Sequence, residues 1–256
     1  MSNPSALQHL RFLEFDHGKC AGDSVAIELA DATIDIWSFS LSGTPASIAG
    51  WRSLLDAEEK ARADRFVFER LRTEHVVAHG ITRWLLGRYA DADPVSLQFV
   101  RETAGKPCLF GRGAEVAFNL SHSHGRGLLA VAHRPVGADL EKIRADLDFL
   151  EIAERYFFGD ELMSIRSQPS ARQSTAFFRY WVAKEAVLKG EGIGLGFPLD
   201  GFEVRFNLDD DSEGSVRSDD PSRLGSDWIV RMLPSVCGWP AAVAARGADW
   251  TARLRA

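Results

Sequence analysis

Residues 173–189 read QSTAFFRYWVAKEAVLK, and their periodicity predicts the clearest helix of the chain. One stripe of this helix carries four residues spaced four apart: Phe177, Trp181, Glu185 and Lys189. The stripe begins as apolar core and ends with two charged residues, and Gly190 marks the helix end. A carboxylate that continues a buried aromatic stripe needs a partner. That partner is either Lys189, in a weak i,i+4 pair, or a cation shared with other carboxylates.

Strand and helix patterns alternate on both sides of this helix. Before it, strands are predicted at 33–41 (half-buried), 96–101, 116–120, 128–132 and 136–141, and helices at 56–68, 71–89 and 147–158. After it, strands are predicted at 202–207, 227–232 and 241–245, and an acidic, serine-rich loop at 209–222. Each half of the chain therefore has several strands and a long helix. This pattern predicts an α+β fold with a boundary near Pro135.

The predicted strand 136–141 carries two carboxylates. Strand side chains alternate, so Asp139 and Glu141 point to one face while Ala138 and Leu140 point to the other. Like charges side by side cost stability, and a cation between them removes that cost. Oxygen ligands without a nearby cysteine favour magnesium over zinc. The alternative is a solvated acidic strand end.

The composition is that of an ordinary globular protein of 256 residues, with a formal net charge of −6. This charge argues against bulk nucleic-acid binding, so any bound anion must be held by a local positive cluster. The three cysteines, Cys20, Cys108 and Cys237, are widely spaced, which favours a reducing, cytoplasmic setting. We find no pattern of a signal peptide and no apolar run of membrane-spanning length.

Two further clusters could bind phosphate. The first is residues 118–124, FNLSHSH, which place hydroxyls and the His122 imidazole at a strand end. The second is a basic set interleaved with acidic residues, and it comprises Lys60, Arg62, Arg65, Arg70 and Arg72. A capped loop and a solvated helix face are the alternatives. Only convergence of the basic set with His122 would form a phosphate site.

In their order along the chain, these motifs resemble those of the Sfp-type 4'-phosphopantetheinyl transferases. The motifs are Gly105-Lys106-Pro107, then residues 118–123, then Val136 to Glu141, then residues 181–189, ending in Gly192-Ile193-Gly194-Leu195. The resemblance covers about residues 34–205. It implies two similar α/β halves related by a pseudo-twofold axis, residues 1–135 and 136–256, with coenzyme A bound between them.

The resemblance also implies roles for individual residues. Asp139, Glu141 and Glu185 would hold Mg²⁺, and Lys189 would contact the diphosphate and assist the leaving group. The 3'-phosphate would lie at His122 and Ser121, and the adenine at Gly105, Lys106 and Pro107. Glu161 would be the general base. The remaining predicted contacts to coenzyme A are Lys60, Arg62, Arg65 and Lys184.

The predicted reaction is transfer of 4'-phosphopantetheine from coenzyme A to a serine of an acyl or peptidyl carrier protein. A monomer that binds no nucleic acid and no membrane is expected by analogy. One alternative is a catalytically silent relative that binds coenzyme A or carrier proteins. Another is an unrelated phosphotransferase that uses nucleoside triphosphates, but the chain has no Gly-x-x-x-x-Gly-Lys-Ser/Thr loop.

Overall fold

The computed structural model describes residues 10–20, 22–23, 25–207, 212–234 and 236–256. The helices are α1 (His17–Cys20), α2 (Pro45–Leu54), α3 (Ala57–Asp64), α4 (Glu69–Ala90), α5 (Phe149–Tyr156), α6 (Gly159–Ser167) and α7 (Ser170–Glu191). The strands are β1 (Thr33–Ser40), β2 (Gln98–Arg101), β3 (Pro107–Phe110), β4 (Ala117–Ser123), β5 (Arg126–Ala132), β6 (Val136–Leu140), β7 (Phe202–Phe206), β8 (Glu213–Ser218), β9 (Trp228–Met232), β10 (Ala241–Arg246) and β11 (Thr251–Leu254). This mixture confirms the predicted α+β class.

The first sheet has the strand order β11–β1–β5–β4. Helices α2 and α4 cover one of its faces, where Trp37 and Phe39 of β1 join their apolar side chains. The opposite face of β1 is also covered, because Ile34 and Ile36 pack in a second cluster that includes residues of β6 and β10. The prediction of a half-buried first strand is therefore wrong, since the strand lies between two apolar layers.

The second sheet has the order β6–β10–β9–β8–β7, and its neighbouring strands are antiparallel. Helix α7 packs on it through an apolar cluster that includes Phe177, Val187 and Trp228. The predicted loop at 209–222 is wrong in part, because residues 213–218 form β8. Alternate residues of β8 are buried, which outweighs the polar composition of the segment. Residues 209–211 of that loop lie outside the described residues.

Strand β6 is the edge strand of the second sheet, and its unpaired side faces β4 of the first sheet. Its Val136, Ala138 and Leu140 enter the apolar cluster shared by the sheets, so the alternate residues point toward α7. Its edge faces β4, where side chains make the connection. Asn119 Oδ1 accepts a hydrogen bond from Ala138 N at 2.9 Å, and Ser121 Oγ accepts one from Leu140 N at 3.4 Å. Residue numbers rise together along both strands, so β4 and β6 run parallel.

The last strand crosses the predicted division of the chain. β11 follows β10 in sequence, but it pairs with β1, from Thr33 opposite Thr251 to Ile36 opposite Leu254. The first sheet therefore contains strands from both sides of residue 135. The division at that residue and the pseudo-twofold relation stay predictions.

Helices α4 and α7 are the longest, with 22 residues each, and both carry charged residues along their length. Within the described part of the chain, no helix is long and apolar enough to cross a membrane.

Candidate functional site

Facing side chains of β4 and β6 form the floor of a cleft. Ser121 Oγ donates a hydrogen bond to Asp139 Oδ1 at 2.7 Å, and Ser123 Oγ donates one to Glu141 Oε2 at 2.7 Å. Both pairs follow from strand alternation, because each strand places residues two apart on the same face. The hydroxyls therefore hold the two carboxylates in fixed positions.

Helix α7 completes this cleft because it approaches β6 at backbone contact. A Cβ on Gly137 would lie 1.9 Å from Ala186 O and 2.3 Å from Gly190 N, so only glycine fits there. This close approach brings Glu185 and Lys189 over the strand. We call the resulting space the carboxylate cleft, and its polar lining comprises Ser121, His122, Asp139, Glu141, Glu185 and Lys189.

Replacing Gly137 by alanine is expected to lower the free energy of unfolding by about 1–3 kcal/mol, as overpacking does. The added methyl group meets helix backbone rather than a flexible side chain, so α7 must move away from β6. Urea unfolding measures the loss. Gly159→Ala is the matched control, because a Cβ there meets nothing within 4 Å. Equal unfolding midpoints for the two variants would contradict the backbone contact.

Charges in the carboxylate cleft are strongly coupled. Lys189 Nζ donates to Asp139 Oδ1 at 2.5 Å and to Ser121 Oγ at 3.1 Å. Burial raises the pKa of Glu141 and of Glu185, and the charge of Asp139 raises both further. Burial disfavours the charged form of Lys189, but the neighbouring carboxylates outweigh it and raise the pKa of this ammonium. Lys189 is thus the positively charged partner of three neighbouring carboxyl groups, those of Asp139, Glu141 and Glu185.

Two carboxylate oxygens in this cleft are buried without a hydrogen-bond partner in the structure, and they are Asp139 Oδ2 and Glu185 Oε1. Buried polar atoms normally have partners, so these oxygens are available to a further cation. Among the described residues, no three His, Cys, Asp or Glu side chains form a closed metal-binding group. The all-oxygen donor set still fits a hard divalent ion, because Mg²⁺ usually keeps several waters and takes only one or two carboxylates.

A second cleft of about 610 Å³ adjoins the carboxylate cleft, and Leu120 and His122 of β4 line both. We call it the histidine cleft, and its lining includes Arg62, His75, His79, Phe99, Pro107 and His122. Desolvation and the charges of His79 and Lys189 lower the pKa of His122. Burial and the charges of His79 and Arg62 lower the pKa of His75 to about 4, so its ring is neutral at neutral pH. Aromatic rings beside basic groups can bind a phosphorylated, stacking ligand.

The predicted basic set only partly converges on His122. Arg62 lines the histidine cleft, but Lys60 and Arg65 are not among its lining residues in the described structure. Arg70 pairs with Glu74, and Arg72 pairs with Glu69. Arg70 and Arg72 are thus held by carboxylates of their own helix, and a phosphate-binding role for Lys60 and Arg65 stays a prediction.

Helix α3, which carries Arg62, is fixed to α4 by a buried arginine. Arg83 is 0% exposed, and it binds Asp56 at 2.5 Å and Glu59 at 2.6 Å. Burial opposes ionisation of Glu59, yet His79 and Arg83 lower its pKa to about 2. This network places Arg62 beside the histidine cleft.

Glu161 and Lys184, which are predicted to act on the substrates, line neither the carboxylate cleft nor the histidine cleft and form a buried ion pair. Glu161 is 1% exposed and accepts two hydrogen bonds from Lys184 Nζ, at 2.8 and 2.7 Å. It also accepts backbone hydrogen bonds from Phe158 and Val204. These four hydrogen bonds occupy both oxygens of the Glu161 carboxylate, and its role as general base stays a prediction. The pair joins α6, α7 and β7.

Two of the predicted adenine-binding residues, Lys106 and Pro107, line a cleft at the end of α7, and Pro107 alone of the three also lines the histidine cleft. The Lys106 ammonium donates to Gly190 O and Val136 O in the cleft at the end of α7. Gly105 forms the turn between β2 and β3 with φ of 91°, a conformation that favours glycine.

Two family models match the chain in series. The model of the 4'-phosphopantetheinyl transferase superfamily matches residues 135–243, and that of the 4'-phosphopantetheinyl transferase N-terminal region matches residues 42–134. The chain is 33% identical over 229 residues to the 4'-phosphopantetheinyl transferase HetI of Nostoc sp., covering 88% of this chain and 92% of that protein.

The chain belongs to the 4'-phosphopantetheinyl transferase superfamily.

Other relatives carry the same name. The 4'-phosphopantetheinyl transferase Sfp of Bacillus subtilis is 30% identical over 157 residues, 61% of this chain and 69% of that protein. The 4'-phosphopantetheinyl transferase psf-1 of Bacillus pumilus is 34% identical over 163 residues, 64% of this chain and 68% of that protein. The predicted resemblance to Sfp-type transferases is confirmed.

Sequence reasoning missed several residues of this transferase's site. Ser123 holds Glu141, and its position two residues after Ser121 on one strand is a signal that could have found it. His75 and His79 line the histidine cleft, with ring centroids 4.1 Å apart. The i,i+4 spacing of His75 and His79 can be read from the sequence, but their approach to His122 in space cannot.

Proposed function

We propose that this transferase moves the 4'-phosphopantetheine group of coenzyme A to a serine of an acyl or peptidyl carrier protein. The serine oxygen attacks the β-phosphorus of coenzyme A, the bond from that phosphorus to the bridging oxygen of the diphosphate breaks, adenosine 3',5'-bisphosphate leaves, and the serine proton passes to water. The observation that supports this best is the junction of two clefts at His122. One cleft concentrates carboxylates and Lys189, and the other combines aromatic and basic side chains.

Coenzyme A would lie across both clefts. The histidine cleft would take the adenosine and its 3'-phosphate, with Arg62 supplying positive charge and His122 a hydrogen-bond donor. The diphosphate would reach the carboxylate cleft beside Ser121 and Lys189. Lys189 would move from Asp139 toward the leaving phosphate, and its raised pKa keeps it charged for that task.

Asp139, Glu141 and Glu185 would hold Mg²⁺ in the carboxylate cleft, one or two of them directly and the rest through waters that the ion keeps. When bound, the ion would neutralise negative charge on the diphosphate oxygens. Ser121 and Ser123 would keep the carboxylates oriented through their hydrogen bonds. We also propose that the protein is a cytoplasmic monomer. Sedimentation at several protein concentrations would test the monomeric state.

Magnesium is expected to raise the melting temperature more at about pH 8 than at about pH 5. Glu141 and Glu185 have raised pKa values in the folded protein, so the fold binds their protons more tightly than the unfolded chain does. Their contribution to stability is therefore lost as the pH rises from 4.5, the ordinary value, through the raised values. The ion would replace those protons at high pH. Calorimetry with MgCl₂, against KCl at equal ionic strength, measures the shift, and equal shifts at both pH values would contradict this linkage.

The activity is tested by incubating the protein with coenzyme A, magnesium and a panel of apo acyl and peptidyl carrier proteins. Intact-mass spectrometry should show one phosphopantetheine per carrier, together with release of adenosine 3',5'-bisphosphate. Carriers whose acceptor serine is replaced by alanine should stay unmodified. Tight binding of coenzyme A without transfer to any carrier would favour the alternative of a catalytically silent relative.

A further inference from the structure

Lys106 joins the two elements that form the carboxylate cleft, although it lies outside that cleft. Its Nζ donates to Gly190 O at 2.6 Å and to Val136 O at 3.1 Å. Gly190 directly follows Lys189 on α7, and Val136 begins the strand that carries Asp139 three residues later. One ammonium group therefore connects the helix and the strand whose side chains meet as the Lys189–Asp139 pair.

The end of α7 is packed against the Lys106 side chain as well as bonded to it. Gly192 ends the helix in the left-handed conformation, with φ of 77°. A Cβ on Gly192 would lie 2.7 Å from Glu102 Oε2 and 3.2 Å from Lys106 Cδ. The β2–β3 turn that carries Glu102 and Lys106 thus supports the last turn of the helix. This contact restricts movement of α7 along and away from β6.

Electrostatics favour a cation at this position. The carbonyl groups of the last helical turn have no partner within the helix and form its negative end. Lys106 donates a hydrogen bond to one of these carbonyl groups, that of Gly190, and its positive charge offsets the negative end of α7. Burial lowers the pKa of Lys106, while the charges of Glu102 and Glu191 act in the opposite direction. The group that bonds both carbonyls best is the charged ammonium.

We propose that Lys106 is a positioning residue, whose ammonium clamps the end of α7 to the start of β6 and thereby sets the position of Lys189 relative to Asp139. This inference rests on the proposed transfer reaction. It assigns the side chain of Lys106 to the protein's own backbone rather than to coenzyme A. The adjacent Pro107 remains free to line the histidine cleft.

The decisive measurement separates turnover from ligand affinity in the variant Lys106→Met. We expect the single-turnover rate at saturating coenzyme A to fall by about 10- to 100-fold, since small displacements of reacting groups have effects of that size. The Kd for adenosine 3',5'-bisphosphate, measured by calorimetry, should stay within about twofold, because the histidine cleft keeps all its lining side chains. A normal rate with a Kd weakened tenfold or more would overturn the proposal and assign Lys106 to ligand binding.

Lys106→Arg tests the clamp in a second way, because a guanidinium keeps the charge and can donate to both carbonyls. It should retain most of the wild-type rate, and a folded Lys106→Arg as slow as Lys106→Met would overturn the proposal. Lys19→Met, an exposed lysine on α1, is the matched control and should leave both rate and Kd unchanged.

Hydrogen exchange tests the clamp without using transfer. In wild-type protein the Gly192 amide bonds Leu188 O at 3.0 Å, so this amide and its neighbours should exchange slowly. Lys106→Met should speed exchange at residues 190–192 while leaving the middle of α7 unchanged. Unchanged exchange at those amides would refute the clamp. Absence of transfer by the wild-type protein would refute only the proposed function, and the exchange result would still stand.

Discussion

Asp139→Asn is expected to lower the rate of phosphopantetheine transfer by about 10³-fold, the scale set by losing several kcal/mol of charge stabilisation. Asp139 is 2% exposed, and it receives hydrogen bonds from both Ser121 and Lys189. Asparagine keeps the volume but removes the charge that would hold Mg²⁺ and that positions the Lys189 ammonium. A single-turnover assay with saturating coenzyme A and carrier measures this loss.

The same substitution should leave the fold intact. Loss of the Lys189 ion pair is offset by relief of repulsion from Glu141 and Glu185, so the urea midpoint should change little. The magnesium-dependent rise in melting temperature should disappear. Asp31→Asn, at an exposed turn before β1, is the control and should behave as wild type. Near-normal transfer by folded Asp139→Asn would refute the assigned role.

Lys184→Met should lower the free energy of unfolding by about 3–5 kcal/mol, the usual result of breaking a buried ion pair. Lys184 is 0% exposed, and its loss leaves the Glu161 carboxylate buried without its counter-ion. Lys184 also donates to Phe202 O, so β7 loses a contact with α7. Urea unfolding gives the value, with Lys19→Met as the control for loss of a surface lysine.

A second variant distinguishes a structural pair from a catalytic Glu161. Adding Glu161→Gln to Lys184→Met removes the unpaired charge, so the double variant should be more stable than Lys184→Met alone. Glu161→Gln by itself should keep the transfer rate within about tenfold at temperatures where it is folded, whereas loss of a general base typically costs about 10²- to 10⁴-fold. A folded Glu161→Gln that loses more than a hundredfold would restore the general base predicted from the resemblance.

Local patterns in the sequence were sufficient for most of the elements that build the site. The periodicity of residues 173–189 predicts α7, which the structure extends to Ser170–Glu191. Alternation over the predicted strand 136–141 places Asp139 and Glu141 on one face, and each lies against a serine of β4, although β6 itself ends at Leu140. Composition misled at residues 213–218, where polar and acidic residues form β8 because alternate positions are buried against the sheet. Pairing with β7 and β9 makes this segment a strand, and a local sequence pattern does not contain those partners.

The roles of long side chains depend on which groups they bond in the folded protein, and the sequence alone does not predict those groups. Lys106 and Lys184 both fall at positions where the resemblance implies ligand contact. One bonds the carbonyls of Gly190 and Val136, and the other forms a buried pair with Glu161. Distances between segments far apart in sequence determine those contacts. A motif records which residue is present but not which atoms surround it.

By itself the sequence determined the class of fold, the transferase family and the three carboxylates placed on a strand and a helix. These follow from side-chain periodicity and from motif order, which are properties of short segments. Only the tertiary structure decided that Gly137 lets α7 contact β6, that His75 and His79 join His122, and that Glu161 is enclosed by Lys184. The reason is that packing brings together groups many residues apart, and burial then fixes their partners and charges.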